Sequence, residues 1–164
     1  MSKVHTYYLN LGSNIQPERH LPQALAQIQK FGEWQAVSHA WESQPVGAAG
    51  PNFLNACLQI QFDLPPAELK ARVIGPIELG LGRRRGSDVN APRSIDIDIT
   101  LFDDEPLQIE RWNYPFVVVP MAEIAPMLMH PILHEPLTQV ARQMRVGTWI
   151  VERPDVLEAA RNPR

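Results

Sequence analysis

The chain has 164 residues, 45% of them hydrophobic and 20% charged, which fits one core of ordinary size and a single domain spanning residues 1–164. A formal net charge of -3 excludes a general positive field, so neither nucleic acid nor membrane is expected as a partner and any anion must meet a local cluster. The lone cysteine, Cys57, excludes an internal disulfide framework; with no apolar leader and no run of about 18 apolar residues, a cytoplasmic protein is expected.

In chain order, residues 4–11 are β-branched, aromatic and aliphatic, with Tyr7, Leu9 and Leu11 on one face, and read as a strand entering a turn at Gly12-Ser13-Asn14. That turn could offer backbone amides to an anion. Leu21, Leu25, Ile28 and Phe31 recur at helical spacing, with Pro22 in the first turn and Gly32 as the stop. A second strand over residues 34–42 gives way to a loop over 43–52, which holds two prolines and two glycines. The next segment alternates, with Leu54, Ala56, Leu58, Ile60 and Phe62 on one face and Phe53, Asn55, Cys57, Gln59 and Gln61 on the other. Leu69, Val73, Ile77 and Leu81 then read as a helix that Gly75-Pro76 should kink or interrupt. The strongest strand, Ile95 through Phe102, follows an arginine-rich stretch. An acidic turn, an apolar run over 116–119 and a helix over 137–144 close the chain. Strand, helix, strand, strand, helix, strand implies an α+β fold: a ferredoxin-like, mainly antiparallel sheet with helices packed on it in αβα layers.

The strand from Ile95 sends Ile95, Ile97, Ile99 and Leu101 toward the core and Asp96, Asp98 and Thr100 to the other face. Two carboxylates about 6 to 7 Å apart at Cα can converge on magnesium that shares its remaining positions with phosphates. The plainer alternative is an exposed strand face with ordinary surface acids. Arg83, Arg84, Arg85 and Arg93 stand just before the pair, and guanidinium groups match phosphate oxygens bidentately. Three adjacent arginines cannot all meet one ligand, so one is expected to sit in solvent or in surface ion pairs. No Walker lysine motif and no G-x-G-x-x-G occurs. His130 and His134 are interrupted by Pro131 and read as structural, and Cys57 on a strand reads as packing rather than as a nucleophile.

These blocks resemble the 6-hydroxymethyl-7,8-dihydropterin pyrophosphokinases of folate biosynthesis. The resemblance runs through Leu11-Gly12-Ser13-Asn14, Phe53-Leu54-Asn55-Ala56, Glu78 with Gly82-Arg83-Arg84-Arg85, the block from Ala91 to Ile99, Glu110-Arg111 and the block from Pro120 to Pro126. It implies an enzyme that transfers pyrophosphate from the co-substrate ATP to a pterin alcohol, releasing AMP, with two magnesium ions. It further implies that Asp96 and Asp98 hold the metal, that Arg83, Arg85, Arg93 and Arg111 bind ATP, and that Arg83 and Arg93 act in catalysis with the two acids. Asn55 would hydrogen-bond the pterin, Phe53 and Phe116 would wall it, and backbone near Ser43 and Val46 would complete its site. A monomer or weak homodimer is expected. Three departures stand out: Trp112-Asn113-Tyr114-Pro115 leads almost directly to Phe116 where the family has a longer loop with a histidine and an arginine, Asn90 stands where the family often has a tryptophan, and Gly75-Pro76 interrupts the helix before Glu78. They leave open weakened catalysis, a pterin- or nucleotide-binding relative without turnover, a different pterin substrate, or another small alcohol as acceptor.

Overall fold

The structure, a computed structural model, describes residues 3–84, 86 and 91–162. Strand β1 (His5–Ser13) runs on through Gly12 and Ser13 before helix α1 (Pro17–Ile28) begins. Pro17 occupies the first turn, where a missing N–H costs nothing, whereas Pro22 lies inside the helix rather than in its first turn. The helix also ends short of Phe31, which is exposed. Gly32 explains the sharp exit, since a Cβ there would lie 2.6 Å from the Gln61 carbonyl oxygen.

The strand expected over residues 34–42 divides into β2 (Glu33–Val37) and β3 (Ala40–Ser43). Ser38 causes the break: its hydroxyl accepts from Cys57 N (2.9 Å) and donates to the His39 carbonyl (2.7 Å), diverting the backbone from the ladder. Strand β4 (Phe53–Phe62) follows the loop. Helices α2 (Pro66–Leu69) and α3 (Gly75–Gly80) are joined without a gap by a π-helical turn, Lys70–Ile74. Pro76 has no N–H to donate and the Gly75 N–H reaches Lys70 O, so the expected interruption takes the form of a bulge. Strands β5 (Asp96–Phe102) and β6 (Glu105–Pro106) precede a 3-10 turn, Ile109–Asn113. The apolar run beyond it is helix α4 (Pro115–Ile124), followed by α5 (Leu137–Gly147), β7 (Ile150–Arg153) and α6 (Glu158–Arg161).

The strands form one sheet in the order β6-β5-β1-β4-β3-β7, with β2 also on β4, and every pairing is antiparallel. Because β3 and β1 both run against β4, they are parallel to each other with β4 between them; β4 and β5 flank β1 in the same way. Two interlocked split βαβ units result, which is the ferredoxin-like arrangement. On one face α1, α2, α3 and the C-terminal segment cover Tyr7, Leu9, Leu11, Leu58, Ile60, Ile97 and Ile99. On the other, α4 and α5 cover Trp41, Cys57, Leu101 and Ile150. Burial pushes the Cys57 thiol pKa far up, in keeping with a packing role.

Leu101 and Thr100 depart from strict alternation. Between the Tyr8–Leu101 and Leu9–Ile99 pairs Thr100 is an extra residue, a bulge that swaps the faces of everything after it. Leu101 therefore joins the α4 and α5 core instead of that of Ile95, Ile97 and Ile99, and Thr100 is buried with its hydroxyl on Tyr8 O (3.0 Å) instead of standing beside the aspartates.

Candidate active site

Pairing register brings the polar residues of three strands together. Gly12 on β1 lies between Asn55 on β4 and Asp96 on β5, and two residues earlier Asn10 lies between Cys57 and Asp98. With no side chain at Gly12, the ground between Asn55 and Asp96 stays open: a Cβ there would stand 3.4 Å from Asn55 Oδ1. Helix α4 starts at Pro115 and leaves this end of the sheet face uncovered, as a cleft of about 230 Å³. Ser43, Val46, Phe53, Asn55, Arg93, Asp96, Asp98, Arg111 and Phe116 all line it.

At the apolar end, the buried Asn55 gives both amide hydrogens away, to Trp41 O (3.1 Å) and Ser43 Oγ (2.8 Å). Its Oδ1 is thereby the atom directed over Gly12, an acceptor aimed into the cleft. Phe53 and Phe116 contribute rings. At the charged end, Arg93 Nη1 meets Asp96 Oδ2 at 2.9 Å, Arg83 Nη2 approaches Asp96 Oδ1 at 3.9 Å, and Arg111 Nη2 meets Asp98 Oδ2 at 3.0 Å. Arg83 and Arg111 each keep a buried Nε with no partner among the described residues. Burial raises the Asp98 pKa, as does the neighbouring Asp96, while Arg111, a hydrogen bond from Gln108 and Arg93 pull it down. The two acids thus bear a mutual repulsion that cations relieve. Arg84 is exposed, as expected of one arginine in its run; Arg85 and Asn90 lie outside the described residues.

A match to the family model for 7,8-dihydro-6-hydroxymethylpterin-pyrophosphokinase extends over residues 8–126, from β1 past the end of α4. The chain belongs to this family. It is a pterin pyrophosphokinase, an enzyme of pyrophosphoryl transfer in folate biosynthesis. It is similar to the pyrophosphokinases of Aquifex aeolicus, 34% identical over 144 residues covering 82% of this chain and 89% of that one, and of Pseudomonas aeruginosa, 33% identical over 141 residues covering 78% and 85%. Its fold matches a solved Plasmodium falciparum HPPK-DHPS chain at a TM-score of 0.67 and 12% identity, over 87% of this chain and 45% of that longer one.

Within this pyrophosphokinase two supporting residues, Gln108 and Asn10, have no obvious sequence signal, and a third, Glu78, stands in one of the resembling blocks. Gln108, in a left-handed conformation (φ 49°), donates its amide to Ile99 O (3.5 Å) and lies close enough to Asp98 to lower its pKa. The buried Asn10 donates to Phe116 O (3.2 Å) and so fixes the start of α4. The buried Glu78 accepts from Ile97 N (3.2 Å), tying α3 to the strand between the two acids. Asn14 lies in a recognisable motif but serves a different purpose from an anion nest. Its N–H is spent on Arg93 O (3.0 Å) and its Oδ1 accepts from Arg93 N (2.6 Å), so it holds the arginine segment against β1. His130 is structural: buried, it donates from Nε2 to Trp112 O (2.7 Å) and accepts at Nδ1 from Ile132 N and Leu133 N.

Proposed function

We propose that the family's reaction takes place in this cleft, with the pterin alcohol at the Asn55 end and the ATP phosphates at the arginine end. The hydroxymethyl oxygen bonds to the β-phosphorus of ATP, the bond from that phosphorus to the oxygen bridging the α- and β-phosphates breaks, AMP departs and the hydroxyl proton is released. What carries the reading is one juxtaposition: Asp96 and Asp98 project into the same cleft as Asn55 Oδ1, flanked by Arg93 and Arg111. Asn55, with its hydrogens already engaged, accepts from a ring N–H or amino group of the pterin. Phe53 and Phe116 stack against the ring, and Ser43 and Val46 close its edge. Arg83, Arg93 and Arg111 turn toward phosphate oxygens, for which the free Nε groups of Arg83 and Arg111 are further donors. Arg85 is proposed to bind ATP as well.

Magnesium suits this donor set. Among the described residues no three His, Cys, Asp or Glu side chains converge as a closed metal cage. Two carboxylates with room beside them suit ions that keep water and substrate phosphates as their other ligands. Asp96 and Asp98 would hold two such ions, which supply neutralisation of the polyphosphate charge. The chain's own part is positioning and electrostatic complementarity, and no covalent nucleophile is needed. No helix among the described residues is long and apolar enough to cross a membrane. The proposal extends to a single domain working in the cytoplasm as a monomer or weak homodimer.

Incubation with magnesium, ATP and 6-hydroxymethyl-7,8-dihydropterin is expected to give AMP. Asp96→Ala and Asp98→Ala are expected to lower its formation by about a hundred- to a thousandfold, with melting temperatures within a few degrees of the parent. ADP as product, or AMP formation unaffected by both changes, defeats the assignment.

A further inference from the structure

The cleft contains a third aromatic ring, and we infer that Tyr114 is a substrate-contacting residue that sets affinity for the pterin ring; the inference rests on the placement of the pterin given above. Tyr114 is the single residue between the 3-10 turn and α4. Its backbone is held from both sides: its N–H donates to Arg111 O (3.2 Å), and its carbonyl accepts from Val117 N and Val118 N (both 3.1 Å). The next residue, Pro115, has a fixed φ, and Asn10 secures the Phe116 carbonyl. On this short, tied path the Tyr114 ring stacks on Phe116, with centroids 5.1 Å apart and planes 18° from parallel.

A tyrosine at a helix start often serves only to cover the first turn. Two observations point further. The residue remains 38% exposed although its ring is stacked, so it does not complete a core, and it lines the same cleft as Asn55 and Asp98. It also comes, along the chain, between Arg111, which pairs with Asp98, and Phe116. Its backbone thus links a residue of the charged half of the cleft to one of the aromatic half. A flat heterocycle whose reacting arm must reach the charged half while its ring lies in the aromatic half crosses that junction. A ring already held by its backbone and by Phe116 loses little freedom on contact, so it contributes affinity at small entropic cost.

Calorimetry on the full chain with 6-hydroxymethylpterin, and separately with a non-hydrolysable ATP analogue and magnesium, tests this. Tyr114→Ala is expected to weaken pterin binding about three- to tenfold with ATP-analogue binding within twofold. Tyr114→Phe should match the parent, because the ring and not the hydroxyl makes the contact. Tyr114→Leu, which keeps apolar bulk over the helix start, should retain the parent melting temperature and still lose pterin affinity. Unchanged pterin binding in Tyr114→Ala, with a parent that binds pterin, overturns the role of Tyr114 and leaves the function standing. Equal loss of both ligands also overturns it, as the mark of a purely structural residue. A parent that binds no pterin overturns both readings.

Discussion

The two faces of the sheet are built from the same strands and put to different use. Under α1, α2 and α3 the inward residues of β1, β4 and β5 form one continuous apolar cluster. On the opposite face α4 and α5 bury only part of the surface, and the remainder holds Asn55, Asp96 and Asp98 beside a glycine. The first face stores stability. The second carries polar groups whose burial costs stability, as the upward push of burial and of Asp96 on the Asp98 pKa indicates. The division predicts that the two properties can be damaged separately. Leu58 is fully buried on the first face. Leu58→Ala is expected to cost about 2–5 kcal/mol in urea unfolding while the KM for pterin and for ATP stays within twofold at a temperature where the variant is folded. A large rise in either KM would mean that the faces are mechanically coupled.

Gly12 offers the converse. Valine suits a β-strand, and a Cβ at this position meets only Asn55 Oδ1 at 3.4 Å and the Phe53 ring at 3.8 Å, so the fold should accept Gly12→Val. Its γ-carbons would occupy the floor between Asn55 and Asp96. Pterin affinity is expected to fall about tenfold or more, comparable with the 1–3 kcal/mol of overpacking, and the melting temperature should stay within a few degrees. If calorimetry shows unchanged pterin binding, the ligand does not lie over Gly12.

The same division explains what was legible in the sequence. Alternation in β4 and β5 exposed the apolar face directly, since period-two patterning is a property of the strand itself. Asp96, Asp98, Arg93, Asn55 and Phe53 were readable because each stands in a block resembling a known family, and the structure gathers them in one cleft. What escaped depends on contacts remote in sequence or on one extra residue. The Thr100 bulge transfers Leu101 to the other core, Ser38 divides an apparent strand through its bonds around Cys57, and Gln108, bonded to Ile99 O from a left-handed turn, comes close enough to Asp98 to lower its pKa. The turn at Gly12-Ser13-Asn14 reads as a possible anion site for the same reason: the Asn14 N–H is engaged by Arg93 O, 79 residues further along the chain. Tyr114 carries no periodic signal, and only the stacked geometry marks it.

The smallest expected effect lies away from both faces, in the turn after β5. Asp103 accepts from His5 Nδ1 (2.8 Å) and from Thr6 N (3.0 Å), and these bonds, the histidine's first, lower its pKa from the ordinary value. A carboxyl whose folded pKa is depressed binds its proton less readily when folded. Its contribution to stability is therefore present above the unfolded carboxylate pKa and disappears as pH falls through the lowered folded value. The Asp103 side chain is 36% exposed, so solvent screens the pair and the contribution is under about 1 kcal/mol. Asp103→Asn should be slightly less stable than the parent in urea unfolding at pH 7, and the difference should shrink as pH drops below about 4. Ligand affinities in the cleft should not move. A difference that persists undiminished at pH 3 would show that Asp103 acts through the shape of the turn rather than through its charge, and would leave the His5 contact without an electrostatic role.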